Sequence, residues 1–197
     1  LSGIDWLNAP ASAQVKSAIL LAGLRATGTV VVREPAPSRD HTEIMLREFG
    51  CEVERGDGFV ALGDERRLKA CDIAIAVDPS SAAFALTAAA IVPGSSVEVR
   101  WMLANSLRTG LYEALAEMGA QVERGDERLQ SGEIVATLRV GYAPLQAIEV
   151  GPEHVPSMID EVPLLAVAAA FAEGESVIHG LGELRHKESD RLGAIVA

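Results

Sequence analysis

Gly119-Ala-Gln-Val-Glu-Arg-Gly-Asp126 repeats Gly50-Cys-Glu-Val-Glu-Arg-Gly-Asp57 almost letter for letter, about 70 residues further along the chain. Each copy follows a helical pattern and continues into alternating apolar and polar residues, which is typical of a strand. The order of helix, glycine and strand around the two copies also matches, which a chance similarity does not explain. The chain is therefore predicted to consist of repeated βαβαββ units, which bury their apolar faces against one another.

The first predicted unit runs from the N-terminus to Leu62. Ser12 precedes the apolar run of its first helix as a capping residue, and Gly50 ends its second helix. A turn at 56–58 joins the last two strands into a hairpin. The predicted elements are an extended segment over Gly3–Asn8 that ends at Pro10, a helix over Val15–Leu24, a strand over Val30–Arg33, a helix from Ser38, and strands over Cys51–Arg55 and Phe59–Leu62.

A second full unit and a truncated third follow, because the chain ends at Ala197 before the third closing hairpin. The second is predicted to contain a strand over Asp72–Val77, a helix from Ser80, a strand from Gly94, a helix over Arg108–Met118 and the repeated hairpin. The third is predicted to contain a strand over Gln146–Val150, a helix over Met158–Ala172, a strand over Gly174–Ile178 and a helix from about His186.

The composition argues against several classes of protein. A net charge of −11 over 197 residues, with no basic patch, argues against nucleic-acid binding. The longest apolar stretch, Val162–Ala172, is too short to cross a bilayer, and no secretory segment opens the chain. The four histidines show no metal-ligand spacing, so neither a metal nor another cofactor is expected. These features predict a cytoplasmic protein.

The repeat also bears on the two cysteines. Cys51 has the chemistry of a nucleophile, but Ala120 occupies the equivalent position of the second unit, which indicates a core position. Cys51 and Cys71 form no close pair and match no zinc spacing. Both are therefore interpreted as reduced core thiols.

Four of the five residues of Lys187-Glu-Ser-Asp-Arg191 are charged. A helix that begins near His186 would carry Lys187 and Arg191 on one face, with Glu188 in the same first turn. Two cations beside a carboxyl group suit an anionic ligand and proton transfer. A solvated, salt-bridged helix start would explain the same residues without a ligand.

Other polar clusters also stand where helices begin. Ser12, Ser38 and Asp78–Ser81 could place a phosphate or carboxylate at the free N–H groups of a helix N-terminus, although plain N-capping explains the serines as well. Arg39 could simply pair with Glu43.

Asp160 lies between Pro156 and an apolar helix, so its carboxyl group is expected to be partly buried. Burial raises the pKa of a carboxyl group, which suits a general base. Capping of its own helix is the alternative for Asp160.

Five stretches, spread in order over the whole chain, carry a resemblance to one family: Ser12–Leu24, Pro37–Glu43, Asp78–Ala83, Ser157–Glu161 and Leu184–Arg191. They are similar to the 5-enolpyruvylshikimate-3-phosphate synthases, and Lys-Glu-Ser-Asp-Arg is specific to that family. Ala13, where many members have a second serine, resembles the bacterial subgroup called class II.

The resemblance implies an α/β (α+β) fold, the inside-out α/β barrel of enolpyruvyl transferases, with two domains and an active site in the cleft between them. Residues 1–76 would be the last βαβαββ unit of the first, or lid, domain. Residues 77–197 would be one full and one truncated unit of the second domain. Each domain would then be only partly present.

The implied reaction transfers the enolpyruvyl group of phosphoenolpyruvate to the 5-hydroxyl of shikimate 3-phosphate and releases phosphate, in the shikimate pathway of aromatic amino acid biosynthesis. The resemblance implies a monomeric parent enzyme that is a glyphosate target. It implies no cofactor and no nucleic-acid or membrane partner.

The resemblance also implies roles for the matching positions. Asp160 would take the proton of the 5-hydroxyl, Glu188 would protonate the methylene carbon of phosphoenolpyruvate, and Lys187 would contact the reacting groups. Gln14 and Arg191 would bind phosphoenolpyruvate. Shikimate 3-phosphate would be bound by Ser12, Ala13, Gln14, Ser38, Arg39, Asp160 and Lys187.

Part of the family's binding set has no counterpart in this chain: an N-terminal Lys-Ser and Arg, a phosphoenolpyruvate loop with an Arg, and a C-terminal Arg and Lys. Each charge-assisted contact contributes about 1.5–3 kcal/mol, so a chain without several of them should bind far more weakly. We therefore expect a central fragment that is inactive alone.

Two other functions are alternatives for this fold. A UDP-N-acetylglucosamine enolpyruvyl transferase shares the fold but depends on a reactive loop cysteine and lacks Lys-Glu-Ser-Asp-Arg. A non-catalytic repeat-fold remnant would not need both Asp160 and Glu188.

Overall fold

The strands of the computed structural model, which describes residues 1–9 and 11–196, form separate sheets of four, three and two strands. The chain divides into two units, Leu1–Ile75 with Gln130–Glu133 and Ala76–Leu129 with Ile134–Ala197. The mixed α/β fold is the one predicted, whereas the closed barrel and the assignment of 1–76 and 77–197 to two domains stay predictions. Pro10, expected to end the first extended segment, lies outside the described residues.

The first unit is a four-stranded sheet with two helices. The sheet has the order β1-β2-β4-β3, in which β1 runs parallel to β2 and β4 runs antiparallel to both β2 and β3. Its elements are β1 (Ser2–Leu7), α1 (Ala13–Gly23), β2 (Thr27–Arg33), α2 (His41–Glu48), β3 (Val53–Gly56) and β4 (Phe59–Leu62).

The core of the first unit follows from the side-chain periodicity of these elements. Val30 and Val32 alternate along β2 and are fully buried, as one face of a strand requires. Leu20 from α1 and Leu46 from α2 pack with them. The hairpin contributes Val60 and Leu62 to the same cluster.

The second unit contains the remaining elements. It has two sheets. The three-stranded sheet has the order β5-β7-β6, with β5 antiparallel to β7, and the two-stranded sheet pairs β8 in parallel with β9. The elements are α3 (Pro79–Ile91), β5 (Ser96–Leu103), α4 (Gly110–Glu117), β6 (Gln121–Gln130), β7 (Glu133–Gly141), β8 (Glu149–Val150), a 3-10 turn at Val155–Ser157, α5 (Val162–Ala170), β9 (Val177–Ile178), a 3-10 helix at Leu181–His186 and α6 (Arg191–Val196).

The repeat predicted from the sequence is confirmed in the backbone. The strand orders β2-β4-β3 and β5-β7-β6 correspond. Gly50 and Gly119 both have positive φ, +82° and +98°, and end α2 and α4 in the left-handed conformation that glycine adopts without strain. In both copies the next residue donates its N–H to a helix carbonyl five positions back, over 2.9 Å. That residue is Cys51 in one copy and Ala120 in the other, and both are buried.

The strand expected over Asp72–Val77 is wrong except for its last residue. Val77 forms an isolated parallel bridge with Met102, through hydrogen bonds to the carbonyl of Trp101 and from the N–H of Leu103. The predicted strand straddles the boundary between the two units, and only its C-terminal end has a β partner.

The helix expected from about His186 is also wrong in its start. Residues 181–186 form a 3-10 helix, Lys187 is extended, and α6 begins at Arg191. The reason is local: the carboxylate of Asp190 accepts a hydrogen bond from the N–H of Gly193 over 2.8 Å, as an N-cap residue does. Lys187 and Arg191 therefore do not share a helix face.

Two smaller predictions also differ. The helix expected over Met158–Ala172 begins at Val162, with Pro163 in its first turn, where a missing N–H costs nothing. Cys71 is exposed and not in the core, whereas Cys51 is buried as predicted. Within the described residues, no helix has the length and apolar character needed to span a membrane.

Candidate active site

In the first unit, the start of α1 presents the first group of predicted site residues. Ser12 is the N-cap, and its Oγ accepts a hydrogen bond from the N–H of Val15 over 3.4 Å. Ala13 is half-buried and Gln14 is exposed, so the Gln14 amide is accessible to a ligand. Ala11, just before the cap, has a φ of +49°, a conformation that non-glycine residues rarely adopt. This helix start is capped and accessible.

Ser38 and Arg39 lie directly before α2. Ser38 is buried and Arg39 half-buried. Capping does not explain Ser38, because the N-cap of α2 is Asp40 and the Ser38 hydroxyl donates to Oε1 of Glu34 over 2.6 Å. Asp40 in turn forms an ion pair with Arg55, over 2.6 Å. The segment before α2 is thus held by the Glu34 carboxylate through Ser38 and by the Arg55 guanidinium through Asp40.

A buried lysine that the sequence analysis did not single out connects these two segments. The Lys16 ammonium is 1% exposed and lies 2.9 Å from Oε2 of Glu34, 2.8 Å from Oε1 of Glu43 and 3.3 Å from the carbonyl of Ser38. The sequence contained one indication of this role, because Lys16 is the one charged residue within the apolar run Val15–Leu24.

A concavity of about 1020 Å³ in the first unit contains none of the predicted site residues in its lining. One of the arginines in its lining, Arg66, donates to the backbone carbonyls of Gly23, Ala26 and Gly28. Because this guanidinium holds the end of α1 and the following turn, its role is structural. We therefore place the candidate site at the helix starts and not in this concavity.

In the second unit, Arg191 brings two of the predicted catalytic carboxylates together. Its Nη1 donates to Oδ1 of Asp160 over 3.1 Å and its Nη2 donates to Oε2 of Glu188 over 2.5 Å. The Asp160 side chain is 33% exposed and that of Glu188 is 78% exposed. Asp160 precedes Glu161, the N-cap residue of α5. The arrangement couples a half-buried carboxylate to an exposed one through a single cation.

The electrostatics of Glu188 favour its ionised form. The N–H of its own backbone and the Arg191 guanidinium hold the pKa of Glu188 below its usual range. A general acid at neutral pH needs a raised pKa. In this structure the surroundings of Glu188 disfavour protonation, so those surroundings must change before Glu188 can act as an acid.

Lys187 has a different partner from Arg191. Its ammonium lies 2.8 Å from a carboxylate oxygen of Glu183. The preceding 3-10 helix is anchored by Leu184, which is fully buried in the core of the second unit. That anchor fixes the backbone from which Lys187 and Glu188 project.

A second polar cluster, which the sequence predicted only in part, includes Glu161, the residue after Asp160. The neighbouring Glu161 is 2% exposed and accepts a hydrogen bond from the hydroxyl of Ser80. Arg108 donates to the same hydroxyl over 2.7 Å and to Asp78 over 3.1 Å. The sequence signal for this cluster was Asp78-Pro-Ser-Ser81, which was predicted as a helix start that could hold an anion, without Arg108 or Glu161 as partners.

Asp78 and not Ser80 caps α3. Its carboxylate accepts from the backbone N–H groups of Ser80 and Ser81 over 3.2 and 3.0 Å. Partial burial acts to raise the pKa of Asp78, but the hydrogen bonds from Ser81 and Ser80 outweigh it and lower that pKa. Nearby Tyr112 donates to the carbonyl of Pro79 over 2.5 Å, and burial followed by the charges of Glu161 and Asp78 raises its pKa.

Among the residues that the structure describes, no group of three or more His, Cys, Asp or Glu side chains is arranged to hold a metal ion. What the two units offer is a set of hydrogen-bond donors, cations and carboxylates. Such groups can bind an anionic ligand and move protons.

The whole chain, residues 1–197, matches the family described as EPSP synthase (3-phosphoshikimate 1-carboxyvinyltransferase). A protein of that second name from Methylorubrum populi is 57% identical over 194 residues, which cover 95% of this chain and 43% of the relative. One from Gluconobacter oxydans is 54% identical over 199 residues, or 98% of this chain and 45% of the relative. The chain thus spans less than half the length of these relatives.

Solved structures give a consistent likeness. An EPSP synthase from Acinetobacter baumannii superposes with a TM-score of 0.90 at 43% identity, over 100% of this chain and 44% of that chain. The enolpyruvyl transferase NikO from Streptomyces tendae gives a TM-score of 0.58 at 20% identity, over 81% of this chain and 37% of that one. The second likeness concerns the fold alone.

Proposed function

Since this chain belongs to the EPSP synthase family, we propose that it provides part of the active site of a 3-phosphoshikimate 1-carboxyvinyltransferase. The reaction moves the enolpyruvyl group of phosphoenolpyruvate to the 5-hydroxyl of shikimate 3-phosphate and releases phosphate. The observation that carries this proposal is the contact of Arg191 with both Asp160 and Glu188, because it joins a phosphoenolpyruvate-binding cation to a base and an acid.

The first unit binds shikimate 3-phosphate in this proposal. Ser12, Ala13 and Gln14 at the start of α1 contact the substrate, and the free N–H groups there favour an anion. Arg39 takes the 3-phosphate, since a guanidinium can bind phosphate oxygens in pairs. Gln14 also reaches phosphoenolpyruvate. The Ser38 hydroxyl donates its hydrogen to Glu34. Ser38 therefore contacts the substrate through its backbone, or through its hydroxyl oxygen as a hydrogen-bond acceptor.

In the second unit, Asp160 accepts the proton of the 5-hydroxyl. The freed oxygen then bonds to C2 of phosphoenolpyruvate while the methylene carbon, C3, takes a proton from Glu188. The product of this addition is a tetrahedral intermediate with a methyl group. Return of a proton from that methyl group to the Glu188 carboxylate and departure of phosphate from C2 form the enol ether. Lys187 binds the substrate beside the reacting groups.

The lowered pKa of Glu188 fits this scheme if phosphoenolpyruvate changes the surroundings of that carboxyl group. Arg191 would turn to the anionic substrate, and the substrate's negative charge would lie close to Glu188. Both changes raise the pKa of a carboxyl group. Glu188 then takes up the proton that it later donates.

Calorimetric titration of shikimate 3-phosphate into the 197-residue chain tests the proposed binding. We expect saturable binding that weakens about tenfold or more in Arg39→Ala, because a charge-assisted contact is lost. Arg67→Ala, at an exposed arginine of the same unit, is the matched control and should bind like the parent chain. UDP-N-acetylglucosamine should not bind, and saturation by that nucleotide sugar would favour the sister transferase.

Turnover is tested in a chimera in which this chain replaces the matching segment of the Methylorubrum populi relative. We expect the chimera to form enolpyruvyl product and the separate chain to form none. A folded chimera without turnover would contradict the proposed function and favour a non-catalytic role. Glyphosate is included as an inhibitor to be tested on the active chimera, and a cytoplasmic, monomeric enzyme remains part of the proposal.

A further inference from the structure

Lys16 is a charged group in the core of the first unit. Its side chain is 1% exposed, so its ammonium cannot meet a ligand directly. An ammonium in such a place is tolerated only when it is paired, because removing a charge from water is costly. Lys16 has two carboxylate partners, Glu34 at 2.9 Å and Glu43 at 2.8 Å. Both carboxylates are buried as well.

The Lys16–Glu34 pair leads directly to the two segments proposed to hold shikimate 3-phosphate. Oε1 of Glu34 accepts hydrogen bonds from the hydroxyl of Ser38, at 2.6 Å, and from the amide of Asn8, at 3.0 Å. The same Asn8 amide donates to the carbonyl of Ser12 over 2.9 Å. One carboxylate thus sets the direction of the Ser38 hydroxyl and, through Asn8, the position of the α1 cap.

The charges of the network matter to an anionic ligand. The Glu34 carboxylate contacts Ser38, next to Arg39, where a phosphate is proposed to bind, and the buried Glu43 carboxylate is connected to Ser38 through Lys16. Two buried negative charges would oppose that phosphate. Lys16 offsets one of them and also donates to the carbonyl of Ser38 over 3.3 Å. The ammonium therefore acts on both the geometry and the electric field of this half of the site.

We propose that Lys16 and Glu34 are positioning residues for shikimate 3-phosphate, which hold the Ser12 and Ser38 segments in their binding geometry without touching the substrate. This inference rests on the proposed function. It predicts a loss of affinity for shikimate 3-phosphate and little change for phosphoenolpyruvate, because the network reaches the segments that hold the first substrate.

The test uses all 197 residues in the chimera with the Methylorubrum populi relative. The variants are Lys16→Met and Glu34→Gln, which preserve the side-chain volume, and the double variant that carries both. Lys69→Met and Glu54→Gln, at exposed positions of the same unit, are the matched controls. KM for each substrate, kcat and the thermal midpoint are measured for every variant.

We expect Lys16→Met to raise KM for shikimate 3-phosphate by about tenfold or more, with KM for phosphoenolpyruvate and the controls within about twofold of the parent chimera. Glu34→Gln should raise the same KM by about threefold to tenfold, and the double variant should bind better than Lys16→Met, because it leaves one stranded carboxylate, that of Glu43, instead of two. If Lys16→Met does not fold, Glu34→Gln carries the same test.

An unchanged KM for shikimate 3-phosphate in folded Lys16→Met or Glu34→Gln would overturn the inference while the proposed function stands. Equal rises in both KM values would also overturn it, since they would indicate general destabilisation. A folded parent chimera without turnover would overturn the proposed function itself, and this inference with it.

Discussion

Arg191, the first residue of α6, donates a hydrogen bond over 3.1 Å to the carboxylate of Asp160, in the turn before α5. Both side chains are about one-third exposed or less, so the contact is partly shielded from water. It fixes the charged end of the Lys-Glu-Ser-Asp-Arg motif to the segment that carries the proposed base. The arginine thereby organises the second half of the candidate site.

Removal of that guanidinium should change the titration of Glu188. We expect Arg191→Ala to raise the pKa of Glu188 towards its usual value but not fully to it, because the stabilising backbone N–H remains. Carboxyl-carbon NMR titration measures this pKa. Arg185→Ala, which removes a cation paired with Asp190, is the control and should leave Glu188 unchanged. A Glu188 pKa that is equal in Arg191→Ala and the parent chain would contradict the contact.

The cap of α3 should contribute measurably to stability. Asp78→Ala removes the acceptor for two backbone N–H groups and is expected to lower the free energy of unfolding by about 1 kcal/mol, whereas Asp78→Asn, which can still cap, should lose less. Urea unfolding at pH 7 measures both losses. Equal losses in the two variants would show that capping is not the source.

The contribution of Asp78 to stability should depend on pH. The folded-state pKa of Asp78 is lowered from 3.8, so its ionised form contributes stability above that value and loses it as the pH falls through the folded pKa. The stability difference between the parent chain and Asp78→Asn should therefore shrink below about pH 4. A difference that stays constant down to pH 2 would contradict this assignment.

The paired glycines of the repeat should be equally intolerant of a side chain. Gly50→Ala and Gly119→Ala are each expected to destabilise by about 1 kcal/mol, because a Cβ is strained at positive φ. Lack of space is not the reason, since the nearest atoms to an added Cβ are 3.4 and 3.7 Å away. Gly182→Ala, which meets no atom within 4 Å, should be neutral in the same urea titration. A loss there as large as at Gly50 would remove the conformational explanation.

The two thiols should react at very different rates. Burial raises the pKa of Cys51, and the thiolate is the reactive form, so Cys51 should react slowly with an aromatic disulfide reagent at pH 8. Exposed Cys71 should react at once. Cys71→Ser should remove the fast phase and Cys51→Ala should leave it in place. A single fast phase of two thiols would show that Cys51 is not in the core.

Local patterns in the sequence predicted much of the fold. The repeat predicted both hairpins and the glycine that precedes each. A helix end with one glycine in the left-handed conformation, and the alternation of side chains along a strand, both depend on a few adjacent residues. The start of α1 at Ser12 was predicted for the same reason. The start of α6 was missed although its signal was local, since Asp190 could be read as part of a charge run and is instead the cap.

The polar contacts within the candidate site could not be predicted in this way. Lys16 meets Glu34 and Glu43 only after α1, β2 and α2 have packed together, and nothing in the spacing of these residues specifies that meeting. The same holds for Ser80 and Glu161, which are 81 positions apart. The roles of the proposed site residues came from family resemblance and stay predictions.

The burial of Lys16 has a practical consequence for chemical labelling. The chain has three lysines, and in the folded state only Lys69 and Lys187 expose part of their side chains. Amine-acylating reagents should therefore modify those two and spare Lys16, and trypsin should leave the Lys16–Ser17 bond intact until the first unit opens. The rate of Lys16 acylation, measured by mass spectrometry, would then report the rate at which the first unit opens.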